Sequence, residues 1–188
     1  HFNELYRYFD QLPLPLQESY LLNYLLSLIR NKEYAKALRL AKTHEQIILS
    51  SKVLSGRGPF LMAVLALFNR DADAAEEYVD LETKRDGSEF YFFMRLILSG
   101  VYYLRGQYDM ALREAINIEQ AVNYELKREQ NQQTIISKPI VTEFRNFYTY
   151  IAGKSGVALK EYLKGASLKI TGLDQSPNSV LTQWIVEE

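Results

Sequence analysis

Apolar residues in this chain gather in runs of helical length, each closed by a short polar turn and followed by a second, more polar run. Gln17 to Arg30 is the strongest. Leu21, Leu22, Leu25, Leu26, Leu28 and Ile29 cover most of its circumference, so the helix they predict is contacted on more than one side. Asn31-Lys32-Glu33 predicts a turn, and Tyr34 to Ser50 a return helix with Ala37, Leu40, Ala41 and Ile48 on one stripe. After a loop at 55–59, with Pro59 suited to a first helical turn, Phe60 to Phe68 forms a second apolar arm. Asn69-Arg70-Asp71 is its turn and Ala72 to Thr83 its acidic return arm. Beyond Arg85-Asp86-Gly87-Ser88, where Gly87 or Ser88 suits a helix cap, Glu89 to Leu104, the turn at 105–107 and Tyr108 onward predict a third pair. No breaker falls between Asp109 and Asn131, so the third return arm runs long.

The ends are less regular. Residues 3–11 predict a short helix ended by Pro13 and Pro15, because a residue before proline is pushed out of the helical region. Ile140 to Ile151 and Val157 to Leu168 predict a fourth, degenerate pair around Gly153-Lys154-Ser155-Gly156. The tail is then polar until Val180 to Ile185, a short apolar segment that suits docking on the last hairpin. No segment sustains the period of two that marks a sheet. The pattern predicts an all-α chain with hairpins over 17–50, 59–84, 89–130 and 140–168 and a tail over 172–188, all within one helical-repeat domain spanning 1–188.

A phrase repeats at the start of the return arms: Tyr34-Ala35-Lys36-Ala37, Ala72-Asp73-Ala74-Ala75 and Tyr108-Asp109-Met110-Ala111. The closing alanines fall 38 residues apart (37 to 75) and then 36 (75 to 111), a period that marks stacked helical hairpins. Close packing of antiparallel helices needs a small side chain where they cross, and Ala37, Ala75 and Ala111 supply it without loss of helix propensity. Tyr34 and Tyr108, three residues earlier on the same face, fill the volume beside that crossing. Gly106 suits the left-handed residue that ends a helix.

In these segments, above all Gly106-Gln107-Tyr108-Asp109-Met110-Ala111-Leu112 and Lys32-Glu33-Tyr34-Ala35-Lys36-Ala37-Leu38, the chain resembles the tetratricopeptide repeat family. The resemblance covers about residues 16–120, and 140–170 weakly. It departs from the family in spacing, which exceeds 34 residues. It departs also in the second turn, which lacks both glycine and tyrosine, and in having no proline to close each repeat. The resemblance implies a right-handed α-solenoid of three to four hairpins whose first helices line a concave face. That face would carry Leu22, Leu26 and Ile29, then Phe60, Val64 and Leu67, then Phe93, Leu96 and Tyr103, with Phe147 and Tyr150 extending it. Some members clamp a peptide carboxylate with Lys, Asn and Arg in this groove; leucines and aromatics stand there instead, so an apolar peptide or amphipathic helix is the implied ligand. Its source is another protein, a second copy, or this chain's own tail around Trp184. The same residues at helical spacing also fit a plain core.

Composition narrows the chemistry. With no cysteine and only His1 and His44, neither disulfides, thiolate chemistry, a zinc site nor a histidine-dependent triad has its material, and no cofactor is implied. A net charge of −1 speaks against nucleic acid as a partner, and no apolar run approaches the roughly 20 residues that span a bilayer. These features suit a reducing, cytoplasmic setting, and a start at His1 suits a piece of a longer chain. Asp71, Asp73, Glu76, Glu77, Asp80 and Glu82 read as a solvated helix face favoured by the helix dipole, and Lys32, Lys36 and Arg39 as a solvated basic stripe. Loops 55–58 and 153–156 lack both the strand and the spacing of phosphate loops. The expectation is a non-catalytic protein-interaction scaffold. The alternative is the peptide-sensing C-terminal domain of a transcriptional regulator whose DNA-binding part lies upstream, and a helical enzyme working through carboxylates alone is a third reading.

Overall fold

The computed structural model describes residues 4, 6–51, 57–83, 91–128, 138–153, 181 and 184. Every regular element among them is helical: a 3-10 turn Tyr6–Gln11, then α1 (Leu14–Arg30), α2 (Tyr34–Thr43), α3 (Glu45–Ser50), α4 (Arg57–Phe68), α5 (Ala72–Thr83), α6 (Tyr91–Leu104), α7 (Tyr108–Arg128) and α8 (Lys138–Gly153). The arm Val157–Leu168, the cap at Gly87 or Ser88, residues 154–156 of the fourth loop and most of the tail lie outside the described residues.

The two prolines expected to end the short N-terminal element, which stops at Gln11, also begin the next helix. Pro13 caps α1 and Pro15 lies in its first turn, so α1 starts at Leu14 and not near Gln17. Pro139 does the same in α8. The first turn has backbone N–H groups with no partner inside the helix, so a proline costs nothing there. The first return arm, expected to be continuous, breaks at His44, whose φ of −116° and ψ of 25° leave the helical range and separate α2 from α3.

The three turns are copies of one geometry. Lys32, Arg70 and Gly106 take φ of 60°, 59° and 72°, and each stands two residues beyond its helix. Lys32 N–H donates to Ile29 O and Glu33 N–H to Leu28 O, both at 2.9 Å. Arg70 and Asp71 repeat this pair of bonds on Leu67 O and Ala66 O, and Gly106 and Gln107 on Tyr103 O and Tyr102 O. This is the Schellman closure, which satisfies the last carbonyls of a helix and reverses the chain. In each case the residue after the left-handed one starts the return arm. Glu33, Asp71 and Gln107 carbonyls accept from the alanines at 37, 75 and 111, and Asp71 Oδ1 also accepts from Ala74 N–H at 3.1 Å.

Helices adjacent in the chain pack as pairs, α1 with α2, α4 with α5, α6 with α7 and α7 with α8, and neighbouring pairs meet through α5 and α6, α4 and α6, and α2 and α4. Ala37, Ala75 and Ala111 are fully buried. Tyr34 stacks on Phe68 of the next pair at 4.4 Å between ring centroids, and Asn69 donates to Tyr34 O at 3.1 Å, so the second turn is fastened to the first return arm. Tyr108 stands 43% exposed, its ring tilted against that of Tyr103 at 5.8 Å between centroids. From Gly58 to Leu67 every residue of α4 is buried, because α2, α3, α5 and α6 enclose it.

Polar ties cross the same seams. Arg105 donates to Asp73 Oδ1 at 2.6 Å and Glu76 Oε2 at 2.7 Å, Arg95 pairs with Glu114, and Arg145 donates to Glu119 Oε2 at 2.8 Å. Tyr78 donates to Glu45 Oε1 at 2.7 Å, linking α5 to α3; burial and this carboxylate push its hydroxyl pKa well up.

Candidate functional site

The residues expected to line a concave groove are mostly core. Ile29, Val64, Leu67, Phe93, Leu96 and Phe147 are at most 1% exposed and Phe60 is 7% exposed, so they fill the space between helices instead of forming an open apolar trough. The reason is enclosure: α4 has helices on all sides, and the inner face of α6 lies against α4 and α7. Leu22, Leu26 and Tyr103 are partly buried, and Tyr150 lies in α8 with its side chain outside the described part.

Where α6 and α8 approach, these residues do meet an apolar segment. Leu181 and Trp184, three positions apart, are each helical and at most 1% exposed. The Trp184 ring lies stacked near Phe144 (6.1 Å between centroids, 18° between planes) and edge-on to Tyr103 (5.8 Å, 84°) and Phe147 (6.4 Å, 69°). Offset and edge-to-face pairs at such distances each add about 0.5–1.5 kcal/mol to the burial of area. Two of the expected groove residues, Tyr103 and Phe147, thus belong to this aromatic seat.

Gly100 makes room for it. A methyl group there would stand 2.9 Å from Leu67 Cδ1 and 3.2 Å from Trp184 Cη2, so these side chains would have to shift to admit it. A glycine inside a helix costs about 1 kcal/mol relative to alanine, and here it lets the indole lie against the backbone of α6. Beneath the seat the buried Ser99 and Tyr148 hydroxyls bond at 3.1 Å, and Ser99 also donates to Leu96 O at 2.6 Å, fixing α6 against α8. One polar atom is left over: Trp184 Nε1 is buried without an acceptor among the described residues.

A second cluster joins the N-terminal turn to the break in the return arm. His44 Nε2 lies 2.6 Å from Tyr6 Oη, with the Phe9 ring centroid 4.6 Å from the imidazole, and Tyr20 and Tyr24 complete the group. Burial lowers the His44 pKa, opposed by the charge of Asp10, and raises that of Tyr6. His44, expected on a helix face, is instead the hinge residue between α2 and α3.

The acidic face of α5 is partly paired, through Arg105 to Asp73 and Glu76 and through Lys42 to Asp71 at 3.9 Å. Among the described residues no group of three or more His, Cys, Asp or Glu side chains stands where it would hold a metal, and no helix is long and apolar enough to cross a membrane. Glycine in mid-helix at position 100, two residues before the aromatic pair Tyr102-Tyr103 in α6, was the available sign of the seat in the sequence; its partner Trp184 is too far along the chain to be paired with it by spacing. Compared with known proteins, the chain matches no family model, no curated protein and no solved structure.

Proposed function

We propose that this chain is a helical-hairpin scaffold, arrayed as a tetratricopeptide-like superhelix, that holds an apolar helical segment of a partner protein. The observation that carries this reading is the burial of Leu181 and Trp184 between α6 and α8, on Gly100, Tyr103, Phe144 and Phe147. A helix laid into a groove is read through apolar anchors at helical spacing, and an aromatic in a desolvated pocket contributes most of the energy of such contacts.

Selection of displayed helical peptides against the full chain and against Trp184→Ala tests it. Recovered ligands should present apolar side chains at positions i, i+3 and i+4. Tyr103→Ala should weaken them at least tenfold, about 1.4 kcal/mol. Recovery of extended or charged peptides alone, or binding indifferent to Tyr103→Ala, counts against the reading.

A further inference from the structure

We infer that the segment bearing Leu181 and Trp184 is an internal stand-in for the partner, so that the seat is closed in cis and opens when a helix of the same pattern displaces it. The partner it fits is an amphipathic helix presenting a leucine and a bulky aromatic three residues apart. This rests on the reading of the seat given above and adds its regulation and the chemistry of its ligand.

Three observations lead here. Leu181 and Trp184 enter as two buried anchors, each helical and three positions apart in the chain, a spacing that a separate helical ligand would present. Val180 and Ile185 continue the same spacing in the sequence, and Glu187 and Glu188 follow, so the tail alone has the pattern of an amphipathic helical peptide. The fit is also imperfect. The floor of the seat is fully satisfied by Ser99 and Tyr148, whereas the indole N–H of the occupant has no acceptor among the described residues. Stranding a buried donor weakens an interaction, and a ligand whose aromatic ring carries no N–H escapes that cost. Against this stands tethering: a covalently attached segment acts at an effective concentration on the order of millimolar, so the tail wins until a better-fitting helix arrives.

Trp184 is the sole tryptophan, so its fluorescence reports the seat directly. In the full chain its emission should be blue and shielded from acrylamide; red, fully quenchable emission overturns the inference. The probe is a synthetic peptide of residues 176–188. Trp184→Ala removes the occupant's anchor and all protein tryptophan, so the peptide's own indole then reports binding. The variant should bind the peptide at least tenfold more tightly than the wild-type chain does. Equal affinity overturns closure in cis while leaving the scaffold reading intact, and binding to neither removes both.

If Trp184→Ala loses helical circular dichroism, the wild-type chain is titrated with the peptide carrying benzothienylalanine at the tryptophan position, in which sulfur replaces the N–H. A saturable red shift of Trp184 emission is expected, read without interference because this peptide carries no indole. No shift at saturating peptide overturns the inference.

Discussion

At the scale of single residues, the three turns show how little of a repeat needs to be spelled in side chains. The left-handed region costs a residue with a Cβ about 1–2 kcal/mol, yet Lys32 and Arg70 occupy it alongside Gly106. The Schellman bonds of the preceding helix compel it, since four carbonyl groups at a helix end need partners. Lys32→Gly and Arg70→Gly should therefore each stabilise the chain by roughly 0.5–1 kcal/mol, the relieved strain being partly offset by the added freedom of the unfolded chain. Gly106→Ala should destabilise it by about 1 kcal/mol. Urea unfolding midpoints check both, and opposite signs would show that the turns are not equivalent. Sequence alone exposed only the glycine, because lysine and arginine carry no preference for this region.

At the scale of elements, apolar contact outweighs the ion pairs that cross the same seams. Arg105 bridges α5 and α6, but Asp73 is 93% exposed at its side chain, so water screens the pair. Arg105→Ala should cost less than about 1 kcal/mol, whereas Leu96→Ala, at a fully buried position in α6, should cost about 2–5 kcal/mol. Thermal unfolding of the two variants separates them. Comparable losses would mean that the seam is held electrostatically. For the same reason an aspartate at Phe93 or Leu96 would report on folding and not on a surface.

The hairpin arms themselves were legible, since apolar periodicity and polar turns suffice to place α4 to α7 within a few residues. Which apolar face is inside was not. Periodicity shows that a stripe is buried without showing against what, and α4 is apolar on every side. In the sequence Pro13 and Pro15 read only as the stop of the short N-terminal element, and not as the start of α1, because proline punctuates both ends of a helix and only the backbone shows which.

At the scale of the whole molecule, one internal histidine governs how stability responds near neutral pH. His44 is held neutral by burial beside Tyr6 and Phe9, so its folded pKa lies below the ordinary value of about 6.5. The unfolded chain then takes up the proton first. Stability is fully present above about pH 6.5 and declines as the pH falls from there through the lowered folded value, below which this contribution is flat. Asp10, whose charge favours the imidazolium, tempers the decline. Urea midpoints measured across this window should slope for the native chain and lose that part of the slope in His44→Gln. An unchanged slope would place the proton uptake elsewhere.

The enclosure of α4 reaches beyond stability. A helix with ten successive buried positions, Gly58 through Leu67, has no outside on which chance substitutions can accumulate harmlessly. A change of volume anywhere along it is felt by α2, α3, α5 and α6 at once, whereas exposed return-arm positions such as Met110 and Tyr124 can change without touching that packing.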